Sequence, residues 1–184
     1  MAPDDILTFW FEDAGPDRWY RKSDAFDSEI RARFEHFAID QVARLQMTKT
    51  HKWEEVPEST LALIILTDQF SRNMYRGTVA AFAWDDLALA VATRMVDKGW
   101  DLKIDMGRRA FIYMPFMHSE DPDMQARCVY LADSRLEDGS TLHHAREHEK
   151  VIARFGRFPH RNDILGREST LEEIAFLDSG GYAP

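Results

Sequence analysis

Cysteine occurs once in this chain, at Cys128, so no intrachain disulfide can form, and this usage suits a reducing compartment. Long hydrophobic runs are missing as well. Apolar stretches such as Leu61 to Leu66 are far too short to cross a bilayer, and Pro3-Asp4-Asp5 lacks the basic start of a secretory leader. Positive charge is scarce: 23 Lys and Arg stand against 32 Asp and Glu, a net charge of −9. That balance excludes the broad basic surface of a sequence-independent nucleic-acid binder and disfavours docking on an anionic membrane. No phosphate-cradling Gly-rich loop, dinucleotide fingerprint or G-x-S-x-G elbow occurs, and no cofactor is expected. Convincing strand-like alternation is absent too, which points away from any sheet.

What is present is apolar and helical. Apolar residues at 45% and aromatics at 12%, over 184 positions, can build a sizeable core. The expectation is one domain over residues 1–184, cytoplasmic and all-α. Pro3 to Phe11 reads as a short helix stopped by Gly15-Pro16, with Trp10, Phe11, Trp19 and Tyr20 around the break. Phe26, Ile30, Phe34, Ala38, Val42 and Leu45 repeat every three or four residues and mark a long amphipathic helix. Thr48 to Glu55 reads as a loop. Pro57 opens a helix apolar nearly all round, hence central, that carries Asp68 to Asn73 and stops at Gly77. Thr78 is the expected N-cap of a helix reaching Gly99. Another covers about Gly107 to Met117, kinked or ended by Pro115. Asp121-Pro122 starts the next, closed by Gly139, and Leu142 to Phe155 forms one more, closed by Gly156. Ser169-Thr170-Leu171-Glu172 has capping-box spacing before the last. About eight helices in antiparallel hairpins result, in the manner of an α-solenoid, though no tetratricopeptide signature is visible in the sequence.

Three segments combine polar groups with apolar surroundings. In the first, Asp68, Arg72 and Arg76 recur every four residues beside Asn73, on a helix apolar enough to bury them. Either Asp68 and Arg72 pair to fix the helix, or Arg72, Arg76 and Asn73 hold an anion. In the second, His118 and Glu120 follow Pro115 directly. His118, Glu120 and His160 are the acid/base candidates, although Ser119, Glu120 and Asp121 could simply cap the following helix. The third is a basic island in an acidic chain. From Lys150 to Arg167 there are five Lys or Arg and one acid, Asp163, with Arg154, Arg157, His160, Arg161 and Asn162 grouped around Gly156 and Pro159. Guanidinium forks suit carboxylates and phosphates, so that island expects either a bound anion or internal carboxylate partners. His144 and His148 match the H-x-x-E-H order of a zinc-protease class, but no third ligand accompanies them and His148 falls on the apolar face. No metal is therefore expected.

These segments are long enough to carry a family likeness. Asp68-Gln69-Phe70-x-Arg72-Asn73-x-Tyr75-Arg76-Gly77-Thr78, Tyr113-Met114-Pro115-Phe116-Met117-His118-Ser119-Glu120-Asp121, and Arg154-Phe155-Gly156-Arg157-Phe158-Pro159-His160-Arg161-Asn162 resemble the DUF924 family. Ile6-Leu7-x-Phe9-Trp10-Phe11 and the tail around Ser169 to Leu177 fit as well, while Ser71 stands where that family more often has proline. The resemblance implies a tetratricopeptide-like helical superhelix and supplies no activity. The expected function is thus a binding domain whose concave polar site takes a small anionic molecule or an acidic peptide. The alternatives are a hydrolase acting on a phosphorylated or acylated small molecule, and a purely structural arginine–carboxylate network.

Overall fold

The structure, a computed structural model describing residues 1–183, contains helices and turns and no strand among the described residues. The α-helices are α1 (Pro3–Thr8), α2 (Pro16–Trp19), α3 (Asp24–Thr48), α4 (Pro57–Ile64), α5 (Phe70–Met74), α6 (Asp85–Asp97), α7 (Met106–Met117), α8 (Pro122–Arg135), α9 (Gly139–Phe155) and α10 (Leu171–Asp178). None is long and apolar enough to cross a membrane. Neighbours in sequence pack together along the C-terminal half, α6 on α7, α7 on α8 and α8 on α9, while α4 also packs on α6 and α5 on α3.

The apolar periodicity is realised as core. Phe26, Ile30, Phe34, Ala38, Val42 and Leu45 of α3 are all buried. They meet the N-terminal segment and the central helix in an aromatic group, with ring centroids 4.9 Å apart for Phe9–Phe34, 4.8 Å for Phe34–Phe70 and 5.7 Å for Trp10–Phe70. Every residue from Leu61 to Asp68 is essentially inaccessible, as an all-round apolar helix requires. A smaller cluster of Val151, Ile152 and Phe158, with Phe155, Phe176 and Tyr182 against it, anchors the C-terminal segments on α9.

Local chemistry departs from the sequence expectation at several ends. Two helices contain π turns, Phe9–Ala14 after α1 and Ile65–Gln69 between α4 and α5, where the Phe70 amide donates to the Ile65 carbonyl. Such widened turns insert one residue without a sequence signature. The Thr48–Glu55 loop is partly ordered: α3 runs through Thr48, and a 3-10 turn over Lys52–Glu55 is held by a reciprocal His51–Glu54 cap. Thr78 precedes only a 3-10 turn at Val79–Phe82 and gives it no side-chain cap, its hydroxyl donating back to the Tyr75 carbonyl, and α6 begins at Asp85. Gly139 opens α9, with Asp138 as its N-cap, and α8 already ends at Arg135. Pro115 sits inside the last turn of α7, which runs two residues further. The final capping box lies one residue later than expected, on Thr170 and Glu173, because the Ser169 hydroxyl is taken by the Asn162 amide.

The aromatic group sets an expected stability pattern. Phe34→Ala opens a cavity at the junction of three segments and should cost about 3–5 kcal/mol. Met47→Ala, on the exposed side of the same helix, should stay within about 0.5 kcal/mol. Urea denaturation followed by circular dichroism reads both.

Candidate functional site

The π turn places Asp68 at the centre of the molecule with no exposed surface. A buried carboxylate must be fully bonded, and this one is. Its Oδ1 accepts from His118 Nδ1 at 2.8 Å and lies 3.1 Å from Arg72 Nη1, while Oδ2 accepts from Gln69 Nε2 at 2.5 Å. Burial alone would raise its pKa. The Arg72 charge, His118 and the amide bond outweigh that and hold the group down to about 2.

From Asp68 a ladder of alternating charge runs outward. Arg72 sits one turn along, its Nη1 also donating to the Asp68 carbonyl at 3.0 Å, and its fork binds both oxygens of Asp85 at 2.9 Å. Asp85 is the first residue of α6. Arg161, from the 3-10 turn Pro159–Arg161, approaches the far side of Asp85, with Nη1 3.7 Å from Oδ2. That distance is an ion pair without a hydrogen bond. Arg161 is 7% exposed, its Nε is buried with no partner, and its side chain donates no hydrogen bond to any described residue. Its contacts are aromatic: the central carbon lies 4.4 Å from the Phe158 ring centroid and 4.9 Å from that of Phe82. Burial, then the nearby Arg72 charge, lower its pKa to about 10, which leaves it cationic at neutral pH.

Three imidazoles border this ladder. His118 at the end of α7 and His148 on α9 have ring centroids 6.4 Å apart, and His160 adjoins Arg161 in sequence. His148 Nδ1 donates to the His144 carbonyl at 2.8 Å, and its ring packs edge-on against Phe158 and Tyr182. His160 Nδ1 is buried without a partner. All three are pushed below the ordinary imidazole value. Burial comes first in each case, followed by Arg72 for His118 and Arg161 for His160; His148 falls to about 3 and His160 to about 4. At neutral pH the three rings are uncharged.

Asp68, Arg72, His118, His160 and Arg161 are therefore brought together from four separate elements. The remaining candidates sit elsewhere, mostly in bidentate pairs. Arg76 lies beyond the end of α5, so the four-residue spacing from Arg72 no longer keeps the two on one face. Its guanidinium grips Asp27 of α3 at 2.6 and 3.0 Å, and Asn73 joins the same carboxylate at 2.8 Å. Arg157 binds Glu173 at 2.6 and 2.8 Å, and Arg154 binds Glu172 at 2.9 Å. Glu120 takes the Arg167 fork at 2.7 and 3.0 Å and the Phe158 amide at 2.8 Å, so it fastens the basic loop to the end of α7. Asn162 orients Arg167 through its Oδ1. His144 Nδ1 is hydrogen-bonded to the Tyr182 hydroxyl at 2.8 Å, and no cluster of three or more metal-ligating side chains occurs among the described residues.

Asp85, Phe82 and Phe158 belong to the cluster and were not singled out by sequence. An acid in the first turn of a helix looks like an ordinary complement to the helix dipole. Phe82 and Phe158 look like core.

Comparison with known proteins gives a family and a fold. The family model described as "Bacterial protein of unknown function (DUF924)" matches residues 6–181. A solved structure of a protein of unknown function, ATU0120 from Agrobacterium tumefaciens, is similar at 43% identity over 97% of both chains, with a TM-score of 0.88. No curated protein matches.

The depressed imidazoles make stability pH-dependent with a definite sign. Below pH about 6.5 an unfolded histidine takes up a proton that folded His148 refuses until about 3, so stability falls as pH falls through that window. The expected slope from His148 is about 1.4 kcal/mol per pH unit, with His160 acting in the same direction. Urea midpoints at pH 6.5, 5.5 and 4.5 should decline in the native chain and decline less in His148→Leu.

Proposed function

The chain belongs to the DUF924 family, whose description names no activity, and we propose from the geometry that it binds a small anionic ligand at Arg161. The observation that carries this is an Arg161 side chain that is nearly buried, with its Nε fully so, and that hydrogen-bonds no described residue. Burying an unpaired charge costs stability unless something compensates it. Asp85 compensates only in part, since both of its oxygens are already bonded by Arg72. Glu120 and Asp68, the other carboxylates near Arg161, are bonded, the first by Arg167 and the second by Arg72, His118 and Gln69. A ligand anion would supply the missing partner. The part-exposed Arg72, Asp85 and His118 around Arg161 support access from solvent.

The bidentate pairs of Arg76, Arg157 and Arg167 support the opposite reading for those residues, as braces between elements. A second reading of the central cluster as a hydrolase rests on the Asp68–His118 pair. An ionised carboxylate on Nδ1 fixes the ring and leaves Nε2 as a base, the arrangement that orients a catalytic histidine. Turnover of acyl or phosphoryl esters that disappears in His118→Phe would favour it.

Two substitutions separate a ligand-binding arginine from a structural one. Arg161→Met removes a desolvated charge whose side chain makes no hydrogen bond and only a long ion pair, so stability should stay within about 1 kcal/mol of native or rise. Arg72→Met strips Asp68 and Asp85 of their shared partner and should cost about 3–5 kcal/mol. Thermal shift with a panel of anionic metabolites should show stabilisation of the native chain and none of Arg161→Met. A loss of several kcal/mol in Arg161→Met, with unchanged anion responses, would sink the proposal.

A further inference from the structure

The polar atoms around Arg161 restrict what kind of anion it takes. His118 Nδ1 faces the ionised Asp68 carboxylate at 2.8 Å, and His148 Nδ1 faces the His144 carbonyl at 2.8 Å. Both partners can only accept, so both rings carry their proton on Nδ1. In each neutral ring Nε2 is then a lone pair, and neither Nε2 is hydrogen-bonded to a described residue. Two acceptors on rings 6.4 Å apart therefore border the ladder, His118 on Asp68 and His148 near Arg161, which has only donors to offer.

Charge counts narrow the anion. Within the ladder Asp68 and Asp85 balance Arg72 and Arg161, and Glu120 balances Arg167 next to it. The three imidazoles add nothing at neutral pH. A monoanion enters this neutral site against one under-bonded cation. A monoanion already leaves the site with one net negative charge, and a phosphate dianion would leave it with two. Phe158 and Phe82 also lie against the Arg161 guanidinium, which leaves its N–H groups as the approach for a ligand, and those suit a flat carboxylate.

We propose that the ligand is a small carboxylate that also carries an O–H or N–H donor. Its carboxylate lies on the Arg161 fork and its donor points to Nε2 of His118, the more exposed of the two rings. This rests on the anion-binding reading above and names its chemical class.

The test compares glycolate, which has carboxylate and hydroxyl, with acetate, which has carboxylate alone, and with inorganic phosphate. Each is titrated at pH 7 by calorimetry into the native chain, Arg161→Met and His118→Phe. Glycolate should bind the native chain about fivefold more tightly than acetate, the value of one added hydrogen bond. Arg161→Met should lose both carboxylates, and His118→Phe should keep acetate while losing the glycolate advantage. Should His118→Phe fail to fold, imidazole nitrogen NMR of the native chain replaces it: glycolate, and not acetate, should shift Nε2 of His118. Phosphate binding more tightly than either carboxylate, and lost in Arg161→Met, would overturn the carboxylate class and leave the anion site standing. Equal binding of glycolate and acetate would overturn the donor assignment. Absence of any Arg161-dependent binding among the three probes overturns this inference and the anion site together.

Discussion

A single buried carboxylate organises the middle of this protein. Asp68 cannot remain charged in an apolar interior without partners, and the charged and imidazole partners it recruits come from the last turn of α5 and the end of α7. Arg72 then commits Asp85 at the head of α6. Three helices are thus held by direction-dependent bonds in a region where the surrounding contacts are almost entirely non-directional. Apolar packing makes the fold stable, and the Asp68 group decides how the helix ends are set against each other. Such a group is stabilising only while every partner is in place, which is why the ladder behaves as a unit.

Most of the fold was legible because its helices are amphipathic or fully apolar, and periodicity reports both. Phe26 to Leu45 and Leu61 to Leu66 needed no tertiary knowledge. Helix ends were less legible, since competing hydrogen bonds decide them. Thr78 had a nearby carbonyl to donate to, and Ser169 had the Asn162 amide, so neither acts as the cap its position suggests. The π turns had no signature at all. They are choices of hydrogen-bond register made by packing around Phe9 and Phe70.

The polar residues divide in a way that composition could not show. All the arginines of the basic island look alike in sequence, yet Arg154, Arg157 and Arg167 each reach a carboxylate, and Arg161 reaches an aromatic wall and a carboxylate already in use. What separates them is the third dimension: Glu172 and Glu173 belong to α10, Glu120 to the end of α7. His148 illustrates the same limit. On α9 it reads as a core histidine or half of a zinc motif, and only the packing of α9 against α7 brings it beside His118.

The widened turn at Ile65–Gln69 carries a consequence for how such a chain can change length. A π turn is an α-helix holding one residue too many, and a helix advances by roughly 100° per residue. Losing one residue there would leave a perfectly regular helix with both flanks in phase, whereas winding all the present residues as α-helix would keep only the apolar positions N-terminal to the turn in place. The C-terminal part would then be rotated by more than a quarter of a turn, with Arg72 swung away from Asp85. At the present length, local regularity and a working polar centre are therefore mutually exclusive at this point, and the irregular helix is the one that keeps the ladder in phase.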